Sequence, residues 1–177
     1  MKGFTMLNEE VFVAEDRIVK VDPALLAELK AQAARNPRRR ARLCAHKDVE
    51  DRLHEMLIVM CGGMYVHPHK HLTKMEAFHV IEGAATIVFF DDTGKVEEVF
   101  RVGDFPSGGL FYFRNEEPRY HTQIITSEFL VVHEIANGPF RRADTQFAPW
   151  APDEKEVACV KVYMEKLKRE VAAFLPT

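Results

Sequence analysis

The sequence has few of the features that mark secreted, membrane-spanning or nucleic-acid-binding proteins. Its three cysteines are scattered and odd in number, so we expect no disulfide framework and a reducing compartment. No apolar run approaches the roughly 18 residues that a membrane-spanning helix needs. Residues 1–10 lack the apolar stretch of a signal peptide. Lys and Arg total 24 against 27 Asp and Glu, a balance that favours neither nucleic acid nor a membrane surface as partner. We therefore predict a cytoplasmic protein.

What the sequence does have is an ordinary globular composition and a concentration of histidine. The 177 residues are 47% apolar and 29% charged, which fits one domain with a sizeable core. Four of the eight histidines fall within thirteen residues, at positions 67, 69, 71 and 79. This local excess is the most informative feature of the composition.

The chain divides into three parts by its local composition and hydrophobic pattern. Residues 1–50 begin with a loose arm over 1–9 and two candidate short strands at 11–13 and 18–21, and a helix starts at Asp22-Pro23 and stops at Asn36-Pro37. The basic cluster that follows at 38–42 is by default a solvated connector. Residues 51–136 form eight short β-rich runs, one of them over 64–71, separated by glycine and turn residues, which predicts an antiparallel sandwich or barrel. Residues 137–177 begin with a proline-rich stretch and end in an amphipathic helix over 153–174, which we expect to pack on the barrel.

The clustered histidines predict a metal site. Side chains alternate along a strand, so His69 and His71 share one face with His67 and can converge on a single point. After a turn, Glu76 would return from the neighbouring strand toward that point. Two imidazoles and a carboxylate gathered in this way form a facial ligand set for a divalent transition metal.

The same stretch resembles a known motif. It reads Gly63-x5-His69-x-His71-x4-Glu76-x6-Gly83, a full match to the first metal motif of the cupin superfamily. In cupins a later strand supplies a further histidine, and His121 stands in that place here. The resemblance implies an all-β cupin barrel, that is, a double-stranded β-helix or jelly roll, with an N-terminal helical segment and a C-terminal helix outside it. His69, His71, Glu76 and His121 would hold one metal inside, and Fe, Mn, Ni, Cu or Zn would suit this set.

A closer resemblance exists to the WbuC-type cupin fold metalloproteins, a bacterial family often found among surface-polysaccharide genes. The matching segments, in order, are Asn36-Pro37-Arg38-Arg39-Arg40, Pro68-His69-Lys70-His71, Gly138-Pro139-Phe140 and Phe147-Ala148-Pro149-Trp150-Ala151-Pro152. The resemblance covers about residues 20–153 and implies a metal-binding barrel, but it says little about a reaction. Because cupins are often dimers, a homodimer is a further expectation.

Other residues are candidates for contact with a small-molecule ligand. His67 would line the mouth of the pocket, and Tyr65 would donate a hydrogen bond there. If the basic cluster folded over the mouth, Arg38 and Arg40 would recognise an anionic substrate such as a sugar nucleotide.

Two further residues are candidates for catalysis. Glu134 could act as an acid or base, and Tyr120 flanks a ligand position.

Three functions remain open from the sequence. The first is an enzyme, either a metal-dependent isomerase or epimerase or an oxygenase, that acts on a carbohydrate or sugar nucleotide in surface-polysaccharide metabolism. The second is a module that binds or senses a metal or small molecule without turnover. The third is a metal-independent sugar epimerase with a histidine base beside an aspartate.

Overall fold

A computed structural model describes residues 1–175, which form twelve β-strands and two α-helices. The strands are β1 (Phe4–Met6), β2 (Val11–Ala14), β3 (Arg40–Cys44), β4 (Leu53–Cys61), β5 (His69–His71), β6 (Glu76–Glu82), β7 (Ala84–Phe90), β8 (Val96–Gly103), β9 (Tyr112–Asn115), β10 (Tyr120–Ile125), β11 (Phe129–Asn137) and β12 (Thr145–Phe147). The helices are α1 (Pro23–Arg35) and α2 (Val157–Ala172).

The strands form two sheets of unequal width. One sheet has seven strands in the order β1-β2-β3-β4-β11-β6-β9, and the other has five in the order β12-β5-β10-β7-β8. Neighbouring strands in these sheets run antiparallel, apart from the parallel pair β2–β3. Two facing antiparallel sheets are the arrangement of a jelly roll. The all-β fold class predicted from the sequence is confirmed.

Alternation of side chains sets which residues reach the space between the sheets. Along β6, Glu76, Phe78 and Val80 are buried whereas His79 is exposed, as the period of a strand predicts. Phe78 and Val80 join an apolar core with residues from both sheets. The sequence pattern of β6 therefore places its single inward carboxylate, that of Glu76, inside the jelly roll.

The two helices cover the outer faces of the sheets. The Asp22 side chain accepts a hydrogen bond from the backbone N–H of Leu25 and so begins α1, which buries Leu29 and Ala33 against the seven-stranded sheet. Helix α2 buries Leu167 and Val171 in a cluster on the other sheet. Neither helix, nor any other in residues 1–175, is long and apolar enough to cross a membrane.

The structure differs from the sequence prediction at the N-terminal side of the sheet. Residues 1–9 read as a loose arm, yet Phe4–Met6 pairs with β2, and the predicted strand at 18–21 does not form. The basic cluster, read by default as a connector, supplies β3 (Arg40–Cys44). The strand predicted over 64–71 is reduced to β5, because Pro68 has no backbone N–H to donate to a ladder.

Candidate metal centre

Three histidines from two paired strands of the five-stranded sheet meet at one point. His69 and His71 share a face of β5, and His121 of β10 is the direct register partner of His69. One nitrogen from each ring lies within 4.8 Å of the others. The ring centroids of His69 and His121 are 4.7 Å apart, and those of His69 and His71 are 5.1 Å apart. Three imidazoles are therefore held in a spacing that one metal ion could bridge.

Each of the three rings is oriented by a contact at its Nδ1 atom. The Nδ1 of His69 lies 2.8 Å from the carbonyl oxygen of His67, and that of His121 lies 3.1 Å from the carbonyl oxygen of Arg119. The Nδ1 of His71 lies 3.1 Å from Thr145 Oγ1. A carbonyl oxygen can only accept, so Nδ1 donates in His69 and His121 and leaves Nε2 as the ligand atom. In His71, the tautomer whose Nδ1 donates to Thr145 Oγ1 would leave Nε2 available in the same way.

Glu76 brings a carboxylate to the histidines from the other sheet. Its Oε1 lies 3.0 Å from His71 Nε2, and its Oε2 lies 3.4 Å from His121 Nε2. The sequence interpretation had Glu76 returning on the strand next to the histidines, but β6 belongs to the seven-stranded sheet. The four predicted ligands thus span the gap between the sheets.

The donor set fits a transition metal. His71 Nε2 is buried and has no hydrogen-bond partner of good geometry among residues 1–175, although it lies close to Glu76. Burial, together with the charge of His121, lowers the pKa of His69 to about 3, so this ring is neutral at ordinary pH. Burial alone would raise the pKa of Glu76, but the close contacts with His121 and His71 and the charge of Lys74 hold it well below its usual value. A neutral imidazole at His69 beside an ionised Glu76 carboxylate is the form in which these two groups bind a metal.

Lys74, which the sequence reading missed, completes a polar cluster with Glu76 and Glu134. Its Nζ lies 2.7 Å from Glu76 Oε1 and 3.3 Å from Glu134 Oε1. Burial alone would lower the pKa of Lys74, but the charges of the two glutamates raise it above its usual value. The only signal in the sequence was its place inside the four-residue spacer between His71 and Glu76. Glu134, predicted as a candidate acid or base, is buried and faces this cluster.

The aromatic candidates lie around the cluster at different faces. His67 Nε2 lies 3.2 Å from the carbonyl oxygen of Ala148, and the Tyr65 hydroxyl donates to the carbonyl oxygen of Pro152 at 2.9 Å. Tyr120 alternates with His121, so its ring is directed to the outer face, where it packs against Trp150. Both tyrosines therefore contact the proline-rich segment.

The two arginine candidates are engaged by carboxylates. Arg38 contacts Glu10 at 3.1 Å and Glu154 at 2.9 Å, and Arg40 contacts Glu10 at 2.8 Å. Burial lowers the pKa of Arg40, although the hydrogen bond to Glu10 opposes this shift. Neither arginine lines the cavity that lies beside the metal centre.

That cavity has a volume of about 740 Å³ and lies on the inner side of the seven-stranded sheet. Lys74 and Glu134 line it, and so does Thr145, which contacts His71. Cavities of this size hold metabolites and cofactors. The cavity wall therefore shares residues with the candidate metal centre.

Comparison with known proteins gives one partial family match and several similar structures. A family described as a domain of unknown function, DUF6016, matches residues 21–102, and no curated protein sequence matches the chain. SO0799 from Shewanella oneidensis is 11% identical over 73% of this chain and 84% of that protein, with a TM-score of 0.52.

Two larger proteins are similar over part of their length. CapF, a capsular polysaccharide assembling protein from Staphylococcus aureus, is 20% identical over 61% of this chain, with a TM-score of 0.47. Oxalate decarboxylase from Bacillus subtilis, a protein with Mn(II) centres, is 17% identical over 55% of this chain, with a TM-score of 0.43. This chain spans 31% of the CapF chain and 24% of the decarboxylase chain.

In this chain, two facing antiparallel sheets enclose three converging histidines. The chain therefore has an all-β jelly-roll fold.

Proposed function

We propose that this chain is a metal-binding cupin protein that binds and transforms a small organic molecule, such as a carbohydrate or a sugar nucleotide. His69, His71, Glu76 and His121 are the proposed ligands. The observation that carries the proposal is the set of three imidazoles, each oriented through Nδ1, whose Nε2 atoms converge beside the Glu76 carboxylate. Such orientation is typical of metal-ligating histidines.

Three nitrogen donors and one oxygen donor suit a single Fe, Mn, Ni, Cu or Zn ion. Four protein ligands leave one or two positions of a five- or six-coordinate ion for a substrate or water. A metal bound here would supply Lewis acidity or, for a redox-active ion, activation of oxygen. The chemistry would therefore take place next to the cavity.

Glu134 is the proposed proton acceptor of this site. Its Oε1 receives a hydrogen bond from Lys74, whereas its Oε2 has no donor among residues 1–175. The side chain lines the cavity and is only 10% exposed, so a molecule bound in the cavity can contact a carboxyl group that bulk water largely does not reach. Lys74 holds Glu134 and Glu76 together without neutralising either by proton transfer, since its own pKa is raised.

The contacts of the histidines favour a metal-binding function over that of a metal-independent epimerase. That mechanism pairs a histidine base with an aspartate, but within residues 1–175 the carboxylate that contacts His71 and His121 is Glu76. A binding or sensor module has the same ligand set, so turnover of a sugar or sugar nucleotide by the metal-loaded protein is the property that separates it from an enzyme. The WbuC-type relationship, a role in surface polysaccharides, a cytoplasmic location and a homodimer stay part of the proposal.

Elemental analysis of tag-free protein tests the metal site. We expect about one metal per chain in the wild type and a near-complete loss in His71→Ala and His121→Ala, because each removes one of four donors. His79→Ala is the matched control, since His79 is exposed on the outer side of β6 and should leave the metal content unchanged. Equal metal content in all four proteins would refute the ligand assignment.

A further inference from the structure

The cavity beside the metal centre has an apolar floor and charged groups at its sides. Its apolar lining comes mainly from Val11, Val13, Met56, Leu72 and Phe140. Val11 and Val13 of β2 and Cys44 of β3 pack against the core between the sheets, so this part of the seven-stranded sheet faces inward. The lining is therefore mixed, as in sites that bind polar metabolites with an apolar side.

The protein itself neutralises most of the charged groups that line the cavity. Lys74 contacts Glu76 and Glu134, and Arg141 forms an ion pair with Glu50 at 2.6 Å. The ammonium group of Lys47 donates to the backbone carbonyl of Glu15 at 2.8 Å. These three cations thus already have oxygen partners.

The carboxylates of the cavity are also engaged. Asp48 accepts a hydrogen bond from the backbone N–H of Glu50, and Asp144 accepts two from Thr73. Glu134 accepts one from Lys74.

Arg42 is the exception. Arg42 lines the cavity and is partly buried, and its guanidinium makes no ion pair or hydrogen bond with any of residues 1–175. Arg40, two residues earlier on β3 and on the same face, is paired with Glu10. Partly buried charges are ordinarily paired, because removal from water weakens their hydration. A cation left unpaired inside a cavity therefore indicates that a ligand supplies its partner.

Arg42 and Glu134 lie on the same face of the seven-stranded sheet. Arg42 pairs in register with Ile58, which pairs with Val132, two residues before Glu134. Two strand spacings across the sheet and two residues along β11 separate the Cα atoms by about 12 Å. Both side chains line the same cavity, so one small molecule can contact both.

We propose that the cavity binds an organic anion whose carboxylate or phosphate pairs with the Arg42 guanidinium, while its uncharged end reaches Lys74 and Glu134 beside the metal ligands. The planar guanidinium can bind either acid group through two parallel hydrogen bonds. This inference rests on the proposed function, because it names the class of molecule that the metal centre would act on. It also assigns recognition of the anion to Arg42 rather than to Arg38 and Arg40.

Calorimetric titration of the metal-loaded protein with glucose 1-phosphate, glucuronate and glucose tests the inference. We expect one or both anions to bind and glucose to bind far more weakly. Arg42→Gln should weaken anion binding about 10- to 100-fold, the usual effect of losing a charge-assisted pair. The anion affinity of Arg42→Lys, which keeps the charge but lacks the planar guanidinium, should lie between those of the wild type and Arg42→Gln. Arg101→Gln is the matched control, since Arg101 is exposed on β8.

The outcomes separate the anion site from the metal centre. Binding of the phosphate alone or the carboxylate alone supports the inference and identifies the acid group. Failure of both anions to bind at millimolar concentration overturns it, as does equal affinity in the wild type and Arg42→Gln, with folding of each variant verified by circular dichroism. Anion binding that depends on Arg42, in a protein that takes up no metal on loading, would refute the proposed function and leave the anion site standing. A normal metal content without anion binding would overturn the anion site and leave the proposed function standing.

Discussion

The metal centre and the cavity beside it are built on opposite principles. In the metal centre each histidine is tethered at Nδ1, and Glu76 contacts two imidazoles and Lys74. In the cavity, Arg42 is left without a partner among residues 1–175 although Arg40 on the same strand is paired. The protein itself therefore fixes the geometry of the first region, whereas a ligand would have to complete the charges of the second. Substitutions should affect stability in the first region and binding in the second.

Replacing the inward carboxylate should have the largest effect. Glu76→Ala removes a proposed metal ligand and leaves the buried Lys74 ammonium with only Glu134 as its partner. We expect loss of bound metal and a drop of about 3 kcal/mol in the free energy of unfolding, the usual cost of breaking a buried ion pair. Elemental analysis and urea denaturation measure the two effects.

Glu165→Ala serves as the control for that change, because Glu165 lies on the exposed side of α2. If Glu76→Ala kept its metal and its stability, the three histidines alone would form the site. The comparison between a self-sufficient metal centre and an incomplete cavity would then fail.

Thr145→Val tests the tethering of the histidines. The hydroxyl of Thr145 is the side-chain partner of His71 Nδ1, whereas His69 and His121 are held by backbone carbonyls that substitution cannot remove. We expect metal affinity to fall about 10- to 100-fold, because the ring loses its fixed orientation. Competition with a fluorescent chelator measures the affinity. Thr145→Ser keeps the hydroxyl and should restore most of it, and an equal loss in both variants would contradict the tethering role.

The paired and unpaired arginines of β3 separate structural from ligand-binding roles. Arg40→Met breaks a contact with Glu10 and should lower the free energy of unfolding by about 1 kcal/mol. Arg42→Met breaks no pair and should change stability by less than about 0.5 kcal/mol. Thermal and urea denaturation of the two variants give the comparison. A larger loss for Arg42→Met would show that its charge is engaged within the protein.

The sequence predicts the metal centre better than the cavity because of how each is encoded. His69, His71 and Glu76 lie within eight positions, so strand alternation and one turn bring them together. His121 came only from the resemblance to cupins, and Lys74 had no pattern of its own. That Tyr120 points away from His121 follows from the same alternation once the strand register is known.

The cavity depends on contacts that no local pattern carries. Its lining runs from Leu7 to Thr145 and needs β3 to join the sheet, which the sequence of the basic cluster does not show. Arg38, Arg40 and Arg42 look alike in the sequence. Glu10, more than twenty residues away in the sequence, forms ion pairs with Arg38 and Arg40. Its position leaves Arg42 without a partner among residues 1–175.

The last predicted effect depends on pH and concerns Glu10, the carboxylate that pairs with Arg38 and Arg40. Burial by itself would raise the pKa of Glu10, but hydrogen bonds and charge from Arg40 and Arg38 lower it below 4.5. A lowered pKa stabilises the folded protein at pH above the unfolded value, and this contribution is lost as the pH falls through the folded value. Glu10→Gln should therefore be less stable than the wild type by under about 1 kcal/mol at pH 7, because solvent screens the pair. The difference in the free energy of unfolding between Glu10→Gln and the wild type should shrink below pH 4.5 in urea denaturation. A difference that stayed constant between pH 7 and pH 3 would show that the charge of Glu10 is not what keeps Arg38 and Arg40 away from the cavity.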